Sequence, residues 1–408
     1  MSDKSRQAYC YFWLFGLINN VLYVVILSAA VDIVGPTLPK SLVLLADIFP
    51  SLTVKLCSPF FIDKIKYSYR IWFLIIMSCL GMFLVSFKNL FVCLLGVSFA
   101  SVSSGFGEVT FLQLTHYYGQ ISLNGWSSGT GGAGILGGAS YMVLTSVFKV
   151  QVKLTLLMFS VLPFSFLFYF KLDSSDVNSN YQSLQEIDEA EDEQLEPFVV
   201  AFTHMNTSQS MHSTRQHISQ TLKRLRRLVI PYMLPLTTVY LFEYLINQAV
   251  SPTLLFPING DRESKSMPFF FHKYRDMYVT YGTLYQLGVF LSRSFGHLVR
   301  MRSLYILAFL QGMNLCSTVL QSWFYVVHSP WVVMILIFYE GFLGGASYVN
   351  TFLNILEQEK PEEAEFAMGA VSIADSFGVF LAALLGLGLE PKLCEHQITD
   401  NRPWCRME

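Results

Sequence analysis

The chain alternates between long apolar stretches and shorter polar segments. Most apolar stretches approach the roughly 20 residues that an α-helix needs to cross the hydrocarbon core of a bilayer. Six of them precede a long polar segment and five follow it. The pattern predicts an all-α polytopic membrane protein with about 11 transmembrane helices. The predicted spans are 9–31, 40–62, 71–87, 89–113, 127–148, 152–170, 228–257, 278–296, 303–323, 331–356 and 366–389.

The order of the spans predicts two halves. Residues 1–170 would form a six-helix bundle and residues 228–389 a five-helix bundle. A short repeat supports this division, because T-F-L-Q-L at 110–114 resembles T-F-L-N-I at 351–355. Internal repeats of this kind are typical of transporters built from two related halves.

The segment between the halves, residues 171–227, is polar throughout. It contains many Asp and Glu residues first and then ends in the basic run K-R-L-R-R. This composition predicts a disordered linker with a basic anchor close to the membrane. Residues 390–408 form a second polar segment, which we interpret as a tail after the last span.

Composition agrees with a membrane protein. Hydrophobic residues make up 53% of the chain and charged residues 14%, and the mean hydropathy is +0.44. The net charge of −2 gives no support for a nucleic-acid partner. The apolar run at 9–31 is too long for the core of a signal peptide, so we expect it to be the first span.

Lysine and arginine placement predicts the orientation. Two short basic turns, 63–70 and 293–302, follow the second span of each half, and basic residues favour the cytosolic side. The N-terminus and the linker are therefore predicted to be cytosolic, and an odd number of spans puts the C-terminus on the other side. Only Cys394 and Cys405, of seven cysteines, share a polar segment, so a disulfide there is left open and no metal-ligand spacing appears.

Glycine-rich stretches occur inside two spans. Residues 129–134 read G-T-G-G-A-G, but no strand precedes them, which argues against a dinucleotide site, and no Lys-Ser/Thr follows them, which argues against a phosphate loop. Small residues at intervals of four instead predict close packing of transmembrane helices. The residues assigned to such packing are Thr130, Gly134, Gly138, Gly341 and Gly345.

Ionisable residues inside the predicted spans are the candidates for function. Each costs on the order of 3 kcal/mol at the bilayer centre, so each needs a partner or a role. Asp47 and Lys55 lie near one helical face and either brace the bundle or act in transport. Glu108 is favoured for function, because glycine and serine surround it, and His116 either extends its proton path or is a surface residue. The substrate or proton-coupling candidates are Glu108, Asp375, Glu243, Glu340, Lys55, Asp47, Arg293 and His116.

Several of these stretches resemble the battenin family. The similar segments are S-S-G-T-G-G-A-G at 127–134, L-L-A-D-I-F-P-S-L-T-V-K-L at 44–56, Y-E-G-F-L-G-G-A-S-Y-V-N-T-F at 339–352 and E-F-A-M at 365–368. The resemblance implies a major-facilitator-like fold and residence in the vacuolar or lysosomal membrane. It also implies roles in luminal pH balance, basic amino acid handling and glycerophosphodiester export. The ending C-R-M-E departs from the prenylation motif expected of animal members.

These features together favour a secondary transporter. It would work by alternating access between the two halves. Its partners would be protons, a small-molecule substrate and the lipid bilayer. The alternative is a non-transporting scaffold or regulator of vacuolar pH and trafficking, for which protein partners would bind residues 171–227. A membrane enzyme is disfavoured because no cluster of metal-binding histidines occurs, and no cofactor or metal is expected.

Overall fold

The computed structural model describes residues 3–34, 40–87, 89–172, 206–258, 274–296, 298, 300–402 and 405. This part of the chain contains helices and no strand, which confirms the all-α prediction. The α-helices are α1 Asp3–Val34, α2 Lys40–Cys57, α3 Tyr67–Val85, α4 Leu90–Met142, α5 Val152–Phe159, α6 Asn206–Leu228, α7 Leu234–Leu245, α8 Tyr274–Phe295, α9 Leu304–Phe324, α10 Pro330–Gln358, α11 Pro361–Val371 and α12 Ile373–Thr399. Tighter helical turns at 162–171 continue α5, and wider turns at 229–233 and 246–250 flank α7.

The outer surface is that of a membrane protein. Within the described residues, eight runs of helix are long and apolar enough to cross a bilayer. Large apolar side chains point outward from them, for example Phe91, Phe309 and Ile335. Such an apolar exterior suits lipid, whereas in water it would cause association. The predicted count of 11 spans is not confirmed, because the predicted spans 89–113 and 127–148 merge into one helical run and those at 40–62 and 278–296 are not among the eight.

The longest run, α4, contains two predicted spans. Its 53 residues would extend about 80 Å as one straight helix, far beyond the bilayer core of about 30 Å. Gly119 divides it, because its φ of 70° and ψ of −162° are not helical. Only glycine adopts such a backbone without a Cβ penalty. Residues 90–118 and 120–142 are therefore two helices that meet at one glycine, without the loop expected at 114–126.

The predicted linker is partly helical. Residues 173–205 lie outside the described residues, but α6 covers 206–228, so the prediction of disorder is wrong there. The segment 206–228 has no proline or glycine, and it buries Thr221. Arg224 and Arg227 of α6 pair with Glu363 and Glu359 at 2.9 and 2.8 Å. The helix thus rests against the start of α11 and against Glu359, two positions before it.

The C-terminal segment is also more ordered than a tail. α12 continues beyond the predicted span to Thr399, and Leu393 and Gln397 are buried. Cys394 and Cys405 form a disulfide, which answers the question that the sequence leaves open.

α4 packs against α1, α2, α3 and α8. On the α1 side, a Cβ at Gly125 or Gly129 would overlap the backbone carbonyl of Tyr9 or Trp13, so only glycine fits there. Close helix packing at small residues therefore occurs, as membrane helices require. This close approach uses Gly125 and Gly129, which the predicted stripe of Thr130, Gly134 and Gly138 does not include.

The predicted stripe of small residues lies on the neighbouring face, towards α8. A Cβ at Gly134 would overlap the side chain of Gln286, but a Cβ at Gly138 would meet nothing within 4 Å. The expected close packing at Gly138 is wrong, because a four-residue interval drifts around a helix of 3.6 residues per turn. Gly341 and Gly345 of α10 lie against the α8 residues Tyr285 and Ser292.

Candidate functional site

Lys55 lies at the centre of the site. Its side chain, contributed by α2, is only 1% exposed, and its Nζ lies 2.6 Å from Oε2 of Glu108 in α4 and 3.0 Å from Oδ1 of Asp375 in α12. A buried ammonium is stable only when such partners replace its water. One lysine therefore joins acids from the two predicted halves.

Backbone and hydroxyl groups complete the lysine's surroundings. Nζ also donates to the hydroxyl of Ser376 at 2.7 Å and to the carbonyl oxygen of Ser372 at 3.1 Å. Ser372 separates α11 from α12, so its carbonyl lies at a break between two helices. Breaks of this kind commonly form ion sites in transporters, because carbonyl groups there are available to cations.

Asp375 lies in the first turn of α12, where the helix dipole favours a negative charge. Its Oδ1 accepts hydrogen bonds from the backbone N–H of Ser376 at 2.5 Å and from Lys55. Glu108 is held from the other side by the hydroxyl of Tyr348, which donates to Oε1 at 3.0 Å. The Tyr348 oxygen in turn accepts from the indole N–H of Trp126 at 3.0 Å.

The cluster has an unbalanced charge. Lys55 faces two carboxyl groups, so the three ionised side chains carry a net charge of −1. In a low-dielectric interior, this excess charge favours the arrival of a proton or another cation. The cluster can thus respond to a single proton.

A cavity of about 140 Å³ opens beside the cluster. Its walls are mainly polar and come from α1, α2, α4, α7, α8 and α12. Ionisable side chains other than the three above are Asp47, Arg293 and the hydroxyls of Tyr240 and Tyr244. The remaining lining residues are Asn20, Ile48, Ser51, Ser101, Ser104, Ser376 and Val379.

Arg293 is held at the cavity by neutral groups. Its Nη1 donates to Thr130 at 2.7 Å and its Nη2 to the Tyr240 hydroxyl at 2.8 Å, while its guanidinium lies 4.2 Å from the centre of the Tyr348 ring. Its Nε has no hydrogen-bond partner. Thr130, expected only to provide close packing, is thus also a hydrogen-bond acceptor for Arg293.

Asp47 and Lys55 both line the cavity, but the possible pair between them does not form. The lysine side chain reaches away from its own helix to Glu108 and Asp375 instead. Ser101 donates to the backbone carbonyl of Asp47, which attaches this part of α2 to α4.

The other candidates lie outside the cluster. Glu243 and Glu340 are buried between α7, α8 and α10, and neither lines the cavity. His116 lies two turns beyond Glu108, and its ring contacts that of Tyr117 with centroids 5.2 Å apart. The described residues show no hydrogen bond from His116 towards Glu108. The relay through this histidine therefore has no geometric support.

Sequence reasoning missed the aromatic residues of the site. The hydroxyls of Tyr348 and Tyr240, both inside predicted spans, bind Glu108 and Arg293. Trp126, just before a predicted span, donates to the Tyr348 hydroxyl. A signal was present for Tyr348, because it follows the glycine-rich run in α10. A buried Tyr or Trp needs a partner for its polar atom, so such residues inside spans mark possible polar networks.

Known proteins resemble this chain in sequence and in fold. The family model described as CLN3 protein matches residues 10–396. Protein BTN1 of Saccharomyces cerevisiae is 88% identical over 408 residues, and Protein BTN1 of Candida glabrata is 58% identical over 416 residues. Both comparisons cover 100% of both proteins.

Two solved transporters share the fold. The major facilitator superfamily transporter FucP, in an outward conformation, matches with a TM-score of 0.52 at 12% identity, covering 96% of this chain and 98% of FucP. A bacterial homologue of the iron transporter ferroportin, in an outward-facing state, matches with a TM-score of 0.53 at 13% identity, covering 99% and 96%. These likenesses confirm the major-facilitator-like helical bundle.

Proposed function

The chain belongs to the CLN3 protein (battenin) family, and we propose that it is a proton-coupled secondary transporter of the vacuolar or lysosomal membrane. It would move a small polar solute by alternating access between residues 1–170 and 228–389, and would thereby affect luminal pH. The N-terminus and residues 171–227 would be cytosolic and the C-terminus lumenal. The disulfide between Cys394 and Cys405 supports a lumenal C-terminus, because disulfides persist in compartments that are not reducing.

The observation that carries the proposal is the bridge made by Lys55. The residue comes from the first half, and it contacts Glu108 of the same half and Asp375 of the other. A proton on either carboxyl weakens one of the two ion pairs. Protonation would therefore change how tightly the halves are joined at the cavity, which is the property that a proton-coupled transporter needs.

The cavity supports a solute with charged groups. Arg293 lines the cavity, and its guanidinium suits an anionic group such as a phosphate or a carboxylate. Asp47 lines the same cavity and suits an ammonium or guanidinium group. Glycerophosphodiesters and basic amino acids such as arginine are the two substrate classes that we propose. FucP, one of the two fold relatives above, is described as the E. coli fucose:proton symporter.

Reconstitution tests the proposal. Purified protein in liposomes is given an inward proton gradient, and uptake of labelled arginine is compared with uptake of a labelled glycerophosphodiester. We expect gradient-driven uptake of at least one of them, and its loss in Lys55→Met. Glu362→Gln, at an exposed position in the first turn of α11, is the control and should transport as the unmodified protein does.

The same assay separates the two functions that the sequence leaves open. Uptake no greater than in empty liposomes for both solutes, from protein that remains folded and monodisperse, would contradict transport. It would favour the non-transporting scaffold or regulator instead.

A further inference from the structure

Two buried glutamates lie outside the cavity site, in the second half of the chain. Glu243 of α7 is 2% exposed and Glu340 of α10 is fully buried. Glu243 accepts a hydrogen bond from the Tyr285 hydroxyl at 2.5 Å on Oε1. Glu340 accepts one from Asn247 at 2.7 Å on Oε1. Each carboxyl is thus held by one neutral donor.

The second oxygen of each carboxyl has no partner among the residues that the structure describes. Oε2 of Glu243 and Oε2 of Glu340 are buried, and neither forms a hydrogen bond within this part of the chain. Among the residues that the structure describes, no Lys, Arg or His forms an ion pair with either group. A fully ionised buried carboxylate with an unpaired oxygen is very costly, and such groups usually take up a proton instead.

The charged groups that act on this pair form their hydrogen bonds and ion pairs with other residues. Arg293 and Asp375 are the charged residues that act on Glu243, and Glu243 is the one that acts on Glu340. Arg293 donates to the hydroxyls of Thr130 and Tyr240, and Asp375 pairs with Lys55. The neutral Tyr244 and Tyr285 complete the polar surroundings from α7 and α8. Arg293 therefore acts on Glu243 through space without an ion-pair contact, and no charged group among the described residues contacts Glu340.

A third buried polar group lies level with the pair. α9 and α10 run antiparallel, with Asn314 donating to the carbonyl of Leu336 at 3.1 Å. Gln311 lies about one turn before Asn314 and Glu340 about one turn after Leu336, so this register puts Gln311 level with Glu340 along the two helices. Gln311 is fully buried, and both polar atoms of its amide lack a partner. An amide with a free donor and a free acceptor can bind a carboxyl group in either protonation state.

The helices also leave room for Glu243. A Cβ at Gly344 of α10 would overlap the Glu243 carboxyl, so the absence of a side chain there makes space for it. Asn247 lies in the wide turn at 246–250, a type of turn that is frequent at functional sites. Its amide donates to the Glu243 backbone carbonyl at 3.3 Å within the same helical run and to Glu340 of α10, so it links this run to α10.

We propose that Glu243 and Glu340 form a second proton-binding site, separate from the Lys55 cluster, in which at least one carboxyl carries a proton in this conformation. The proton takes the place of the missing cation. The site extends the proposed function, because a transporter with two proton sites can move solute and charge in different ratios. Its existence does not depend on transport.

Infrared spectroscopy of the protein in nanodiscs tests this site directly. A protonated carboxyl gives a carbonyl-stretch band that ionised carboxylates lack, and the band shifts in D₂O. We expect the band in the unmodified protein and a loss of at least half of its intensity in Glu243→Gln or Glu340→Gln. Glu362→Gln should leave it unchanged. Tyr285→Phe, which removes the donor to Glu243, should shift the band even if the glutamine variants do not fold.

Glu108→Gln distinguishes this site from the Lys55 cluster. A band that disappears in Glu108→Gln and persists in both other glutamine variants would overturn the proposal, and so would an unmodified protein without the band from acidic to neutral pH. Failure of solute uptake in liposomes would contradict the transport proposal but would leave the band unaffected.

Discussion

Replacement of Lys55 by methionine is the most informative perturbation of the site. Methionine keeps the length of the side chain but removes its charge, so Glu108 and Asp375 lose the cation that lies 2.6 and 3.0 Å from them. Removal of one partner from a buried ion pair costs about 3–5 kcal/mol. At about 1.4 kcal/mol per factor of ten, the folding equilibrium should fall by roughly a hundred- to a few-thousandfold.

Reversible unfolding in mixed micelles of mild detergent and SDS measures this loss. Charge balance predicts that Lys55→Met combined with Glu108→Gln and Asp375→Asn recovers most of it, because the triple variant leaves no unpaired charge within the Lys55 cluster. The triple variant should be folded but unable to couple protons. If Lys55→Met alone unfolds within about 1 kcal/mol of the unmodified protein, the typical effect of an ordinary substitution, the ion pairs do not join the halves as we infer.

Three further results are expected. Gly129→Ala should sharply reduce the yield of folded protein, because its Cβ would overlap the α1 backbone, whereas Gly138→Ala should be tolerated; equal yields would contradict the packing described here. Asn206, in the sequon N-T-S, should remain unglycosylated if that segment is cytosolic, so a glycosidase-sensitive mass shift would reverse the orientation. Denatured protein should take up five maleimides before reduction and seven after it, because Cys394 and Cys405 are bonded, and seven before reduction would exclude the disulfide.

The sequence predicted the helices better than the contacts between them. Apolar length alone located most spans, because a bilayer sets a minimum helix length. The sequence predicted a 13-residue loop between the two spans in α4, at 114–126. In the structure the helix is broken only at Gly119, whose positive φ replaces the polar loop that normally marks a turn. The helix at 206–228 was missed for a different reason. It is polar, and its contacts with Glu359 and Glu363 are far away in sequence.

For the site, too, the sequence predicted the individual residues better than the contacts between them. The sequence identified Lys55, Glu108 and Asp375 as unusual, because each is ionisable inside a span. The sequence could not predict that these residues pair. Lys55 and Asp375 are 320 positions apart, and a single sequence holds no information on such distant contacts. The nearby Asp47 therefore looked like the natural partner. Tyr348 was overlooked because a tyrosine in an apolar stretch is usually interpreted as part of the lipid-facing surface.

The pH profile of solute flux in Glu108→Gln is the most direct test of proton coupling. Glutamine has nearly the shape of a protonated glutamate and can still accept from Tyr348, but it cannot release a proton. We predict that the variant is folded and correctly located, and that its flux no longer depends on pH, while Glu362→Gln retains the normal profile. Flux through Glu108→Gln with an unchanged pH dependence would contradict coupling at Glu108 and would make Asp375 the next residue to test.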